Sequence, residues 1–141
     1  MGVKSLPKDH PCHSVFEDIA DWHNTMECVP AWEEILEIEY VRQRGELNMF
    51  SGELQRYCFD RGLYAAVNWI QRCKDAGVQY RFKLYTAAID MFEKEHGKRE
   101  TWITNDVKAE FLERELSEKE RVMKIEIAEL RAKRNELKKR G

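Results

Sequence analysis

Apolar side chains recur along this chain mostly at intervals of three and four residues, the period of a helix with one buried face. Val15, Phe16, Ile19, Trp22 and Met26 predict a first helix over about 14–27, opened by a capping box of Ser14 with Glu17. Pro30 suits the first turn of a second helix. Trp32, Ile35, Leu36, Ile38 and Val41 carry that helix to Gly45, a natural stop. A turn over Glu46–Ser51 leads to a third helix ending near Asp60, with Leu54, Tyr57 and Cys58 on its apolar side. Gly62 separates it from a fourth over about 63–75, whose face is Leu63, Ala66, Val67, Ile70 and Cys73.

One stretch reads two ways. Val78, Tyr80, Phe82 and Leu84 alternate with polar residues, as in a strand. Phe82, Tyr85, Ala88, Ile89 and Phe92 follow a helical period over the same ground. A lone strand would find no partner in this chain, so a helix over about 80–95 is expected. After a loop over 98–104, with Trp102 and Ile103 docked on the core, Thr104 or Asn105 caps a last helix running to about residue 139. Ser117 with Glu120 repeats the capping-box pattern inside it, but a continuous helix is preferred. The expected fold is therefore all-α: an irregular lead over 1–13, a compact bundle over 14–104 and a long C-terminal helix over 105–141. The bundle contains about five helices.

Composition supports a packed body with exposed helices. The chain has 141 residues, 43% of them hydrophobic, which suffices for one core. Charged residues make up 35%, above the usual quarter. No apolar run approaches the length of a membrane span, and Met1–His10 has no signal-peptide core. A cytoplasmic protein, in a host cell, with reduced thiols is expected. Cys58 and Cys73 lie among apolar residues and are read as small hydrophobes.

The stretch Ile35–Cys73 resembles a short domain family found mostly in bacteriophage genomes. The resemblance rests on Ile35-Leu36-x-Ile38, on Arg42-x-x-Gly45-x-x-Asn48-Met49-Phe50, on Gln55-Arg56 and on Ala66-Val67-x-x-Ile70. That family carries no assigned activity, so the resemblance implies a phage or prophage origin and no catalytic residue. The residues themselves read structurally: Gly45 ends a helix, Asn48 bonds local backbone in the turn, and Met49 and Phe50 fold back on the core.

Charge is graded along the chain. Residues 1–45 hold 4 Lys/Arg against 9 Asp/Glu, whereas residues 98–141 hold 13 against 10. No Lys or Arg occurs between Asp9 and Val41. An acidic surface on two adjacent helices would project a negative potential toward a cationic partner. The candidate contact residues are Glu17, Asp18, Asp21, Glu33, Glu34, Glu37 and Glu39. The expected role is a non-enzymatic protein–protein interaction module, binding a host or phage protein with a basic surface. Its action would be to inhibit a host nucleic-acid or defence machine.

Chemical sites are poorly supported. His10, Cys12, His13, His23 and Cys28 are zinc-type ligands at unsuitable spacing. Glu33, Glu34 and Glu37 have the look of a magnesium cluster, but the second carboxylate set such enzymes need is missing. Neither cofactor nor metal is therefore expected.

The last helix offers two further surfaces. Leu116, Met123, Leu130 and Leu137 are spaced by seven, with Ile127 beside them, as in a coiled-coil seam that would pack either on the chain's own body or on a second copy in a homodimer. Glu120 and Arg134 interrupt the alternate seam positions. Arg131, Lys133, Arg134, Lys138, Lys139 and Arg140 form a basic end. That end favours the alternative of a nucleic-acid-binding accessory protein in packaging or transcription.

Overall fold

The computed structural model describes residues 28–49, 51–78 and 81–140. The first helix expected from the sequence, over 14–27, lies outside the described residues, as do His10, Cys12, His13 and His23. Five helices follow in chain order: α1 Trp32–Arg44, α2 Leu54–Asp60, α3 Tyr64–Asp75, α4 Arg81–His96 and α5 Asn105–Arg140, with a 3₁₀ turn at Arg99–Thr101 before α5. All described elements are helical, so the fold is all-α with a long C-terminal helix. α4 begins at Arg81, so residues 81–84 are helical, while 79 and 80 lie outside the described residues. α5 runs without a break through Ser117.

α1 is the hub. Its start is fixed by Glu34, whose Oε1 accepts the Ala31 backbone N–H at 2.8 Å. Ala31 has no side-chain oxygen to return the bond, so this is half of a capping box. Gly45 ends the helix at φ 63, a backbone that glycine adopts without strain. Between them, Ile35, Ile38 and Val41 are fully enclosed. Leu54 and Cys58 of α2, Ala66, Trp69 and Ile70 of α3, Leu84 and Ala88 of α4 and Phe111 of α5 complete the core. Removing such surface from water contributes about 25 cal/mol per Å².

Trp69 ties the start of the described chain to α3 by donating its indole N–H to the Cys28 carbonyl at 2.7 Å. Trp32 does the same for the loop before α5: it stacks on His96 at 3.8 Å and meets Trp102 edge-on at 5.0 Å. Trp102 and Ile103 are buried, as expected. Met49 packs against the core from the turn after α1.

Cys28, Cys58 and Cys73 are buried. Burial raises the Cys58 thiol to about 12, and the hydrogen bond with Cys28, together with burial, raises Cys73, which leaves both inert near neutral pH.

Candidate interaction surface

The carboxylates of α1 do not face outward together. Apolar residues surround this helix on every side: Trp32, Ile35, Leu36, Ile38, Tyr40 and Val41 point round its full circumference. Carboxylates set among them are drawn inside with it. Glu34, Glu37 and Glu39 are buried, and each is met by arginine from later in the chain.

Arg72 of α3 reaches Glu34 at 2.8 Å. Arg114 of α5 reaches Glu37 at 2.9 Å, while Glu37 also accepts the Ala66 backbone N–H at 2.8 Å, one of the unpaired donors at the start of α3. Arg99 grips Glu39 through Nε at 2.6 Å and Nη2 at 2.7 Å. Arg42 and the Tyr85 hydroxyl complete the Glu39 shell, the hydroxyl donating at 2.6 Å.

These contacts shift the two innermost carboxyls in opposite directions. Burial raises Glu37 above its ordinary value, and the Ala66 and Arg114 bonds only partly oppose it. Burial pushes Glu39 up too, but its bonds from Arg99, Arg42 and Tyr85 outweigh that and hold it low. A fourth ionic knot lies on α5, where Glu115 takes Arg44 at 2.5 Å and Arg61 at 3.6 Å.

The expectation of an outward acidic contact surface is therefore corrected for Glu34, Glu37 and Glu39: they are internal bolts that join α1 to α3, α5 and the loop before α5. Glu33 alone among the four α1 glutamates is exposed. Glu17, Asp18 and Asp21 lie outside the described residues. Arginine occupies two of the three carboxylates of the Glu33, Glu34 and Glu37 cluster. No group of three or more His, Cys, Asp or Glu side chains is assembled to hold a metal among the described residues.

The arginine partners Arg72, Arg99 and Arg114 were missed in the sequence. The available signal was α1 itself, whose apolar residues leave no polar face for its carboxylates to occupy.

An open cleft of about 630 Å³ runs between α1, the start of α3 and α5, lined in part by Glu33, Tyr64, Asn68, Arg114, Glu118 and Arg121. Its charges are largely spoken for. Arg114 binds Glu37 and Glu110, Arg121 binds Glu118, and Tyr64 donates to Glu118 at 2.7 Å.

α5 is different. Phe111, Glu115 and Glu118 bury one side of its first half. Every described residue from Lys119 to Arg140 is exposed, a projection of about 33 Å at 1.5 Å per residue. Leu116, Met123, Ile127, Leu130 and Leu137 are all exposed, Leu130 by 66% and Leu137 by 67%. At about 100° per residue, Leu116, Met123 and Leu130 stand roughly 115° round the helix from the side held by the body. The stripe therefore lies to one side of the face held by the body, and Met123 lines a small cleft with Phe59 of α2. Glu120 and Arg134 lie on the same stripe and are exposed.

The basic end is exposed as well, with Arg140 bonded to Glu136 at 2.8 Å. No described helix is long and apolar enough to cross a membrane. No family model matches the chain, and no curated protein or solved structure is similar to it.

Proposed function

We propose that this chain is a non-enzymatic protein–protein interaction module that works by self-association, with the projecting half of α5 pairing against the same helix of a second copy. One observation carries the reading. Met123, Leu130 and Leu137 form a stripe at seven-residue spacing and are all exposed, Leu130 and Leu137 by about two-thirds. A helix with apolar residues at that period reaches its stable state by burying them against another helix. Residues 119–140 are dominated by Glu, Lys, Arg, Leu, Ala and Met, strong helix formers, so the helix is ready for a partner before it meets one.

An acidic-mimic version of this role is not favoured. Its main carboxylates on α1 are neutralised inside the body. The basic end keeps a nucleic-acid role as the second reading, because six cations stand in the last ten described residues against the single carboxylate Glu136. Its check is retention of duplex DNA in a gel that weakens steeply with salt; no retention at micromolar protein removes it.

Multi-angle light scattering of the full chain and of a Met123→Glu, Leu130→Glu variant tests the main reading. The full chain is expected to show a concentration-dependent dimer and the variant a monomer with unchanged helical circular dichroism. A full chain that stays monomeric up to about 100 μM, which means association weaker than about −5.5 kcal/mol, overturns it.

A further inference from the structure

We infer that the second copy lies antiparallel on α5, with Ile127 meeting Leu130 of the second copy and Glu120 beside Arg134 of the second copy. This deepens the self-association reading and rests on it.

The orientation follows from the two charges inside the seam. The seam residues alternate at intervals of three and four: Leu116, Glu120, Met123, Ile127, Leu130, Arg134, Leu137. In a parallel, in-register pair each residue faces its own counterpart. Glu120 would meet Glu120 and Arg134 would meet Arg134, two like-charge contacts in the least hydrated part of the interface. Reversing one helix removes both.

With Ile127 and Leu130 of opposite copies in one layer, Glu120 shares a layer with Leu137 of the second copy. Arg134 of that copy falls in the next layer, with Met123. The two charges are then about three residues apart along the axis, roughly 4.5 Å, within reach of two long side chains. The two-fold axis supplies the pair twice. The central layers are purely apolar, Ile127 against Leu130 and the reverse.

The length of the projection fits. In this register the paired segment runs from about residue 119 to 138 on each helix, all of it exposed, with its first turns up to Glu126 bordering the cleft lined by Phe59. The two bodies sit at opposite ends of the pair, so neither obstructs the other. The flanking charges divide. Glu126 lies across from Lys133 of the second copy, which favours the pairing. Lys124 across from Arg131 and Lys119 across from Arg140 oppose it. The seam charges therefore decide the direction, and the interface is a weak, reversible one.

Sedimentation equilibrium of the full chain, of Glu120→Arg, of Arg134→Glu and of the double variant tests the orientation. Each single change places like charges side by side and is expected to raise the dimer dissociation constant at least about tenfold. The double change exchanges the pair and is expected to return it to within about threefold of the starting value. Both positions are exposed, so far-ultraviolet circular dichroism should stay the same in all four proteins. A dimer that tolerates Glu120→Arg unchanged, as a parallel pair would, overturns the antiparallel assignment and leaves self-association standing. A single variant that weakens the dimer without rescue by the double also overturns it. A wild-type chain that never dimerises removes the functional reading instead, and the orientation with it.

Discussion

Glu37 and Glu39 sit two positions apart on α1, yet folding moves their carboxyls in opposite directions. Glu39 is enclosed but receives donors from Arg99, Arg42 and Tyr85, which outweigh the cost of burial and hold it below its ordinary value of 4.5. Its contribution to stability is therefore present above that value and is lost as pH falls through the lower, folded one. Glu37 is held above 4.5, chiefly by burial. Its contribution is full below 4.5 and is lost as pH rises through the higher, folded value. Replacing each with glutamine separates the two. Glu39→Gln strips Arg99 and Arg42 of their shared carboxylate. It is expected to cost about 2–3 kcal/mol near pH 7 and to flatten the decline in acid. Glu37→Gln should cost clearly less near pH 7, because the amide carbonyl still accepts the Ala66 N–H and Arg114 keeps Glu110 at 2.8 Å. It should also remove the fall in stability just above pH 4.5. Urea midpoints measured from about pH 3 to pH 7 check both; identical pH profiles for the two variants would refute the opposed assignments.

Elements join through close contacts as well as through ions, and Gly62 between α2 and α3 shows how tightly α5 is seated. Gly62 has φ +73, and a Cβ there would stand 3.2 Å from the Arg114 backbone carbonyl oxygen. Gly77 has the same φ of +73 but open space around it. Alanine at either site suffers the left-handed backbone, worth about 1–2 kcal/mol. Only Gly62→Ala must also push α5 off the α2–α3 turn. It should destabilise by about 1 kcal/mol more than Gly77→Ala, read as the difference in thermal or urea midpoints. Equal losses would mean that α5 yields freely at Arg114.

Most of this level was legible from pattern. Gly45, Gly62 and Gly77 marked real helix ends, and the apolar residues from Leu84 to Phe92 gave α4 its period despite the strand-like start at Val78. Thr104 acts as expected at the start of α5, accepting the Val107 N–H at 3.3 Å. The misread feature was α1. The composition of its segment predicts an outward acidic surface, because carboxylates usually stay in water. The partners that make their burial tolerable lie 38 to 77 residues further along the chain, where local spacing carries no trace of them. By contrast, the seam of α5 is a local periodicity, and each of its residues stands exposed where the spacing put it.

At the scale of the whole molecule, charge grading along the sequence becomes charge pairing within the fold. Acidic α1 is clamped by arginines of α3, α5 and the loop between α4 and α5, so the body closes on itself electrostatically. The second half of α5 contributes no cation to that clamp: its last link to another element lies near Glu118 and Tyr64, with Phe59, Val122 and Met123 lining a small cleft just beyond. The body should therefore not depend on the far end of the helix. A chain ending at residue 128 keeps the Phe59 cleft and every ion pair of α1, and loses Leu130, Arg134, Leu137 and the basic end. At concentrations where the full chain is monomeric, the shortened chain is expected to melt within about 2 °C of it, a difference below about 0.5 kcal/mol for a domain of this size. At higher concentrations the full chain should gain stability by mass action while the shortened one does not. Differential scanning calorimetry across a concentration series reads both effects. A shortened chain that melts far lower at every concentration would mean that the end of α5 supports its own body, and the picture of a closed body carrying a separate pairing helix would have to be abandoned.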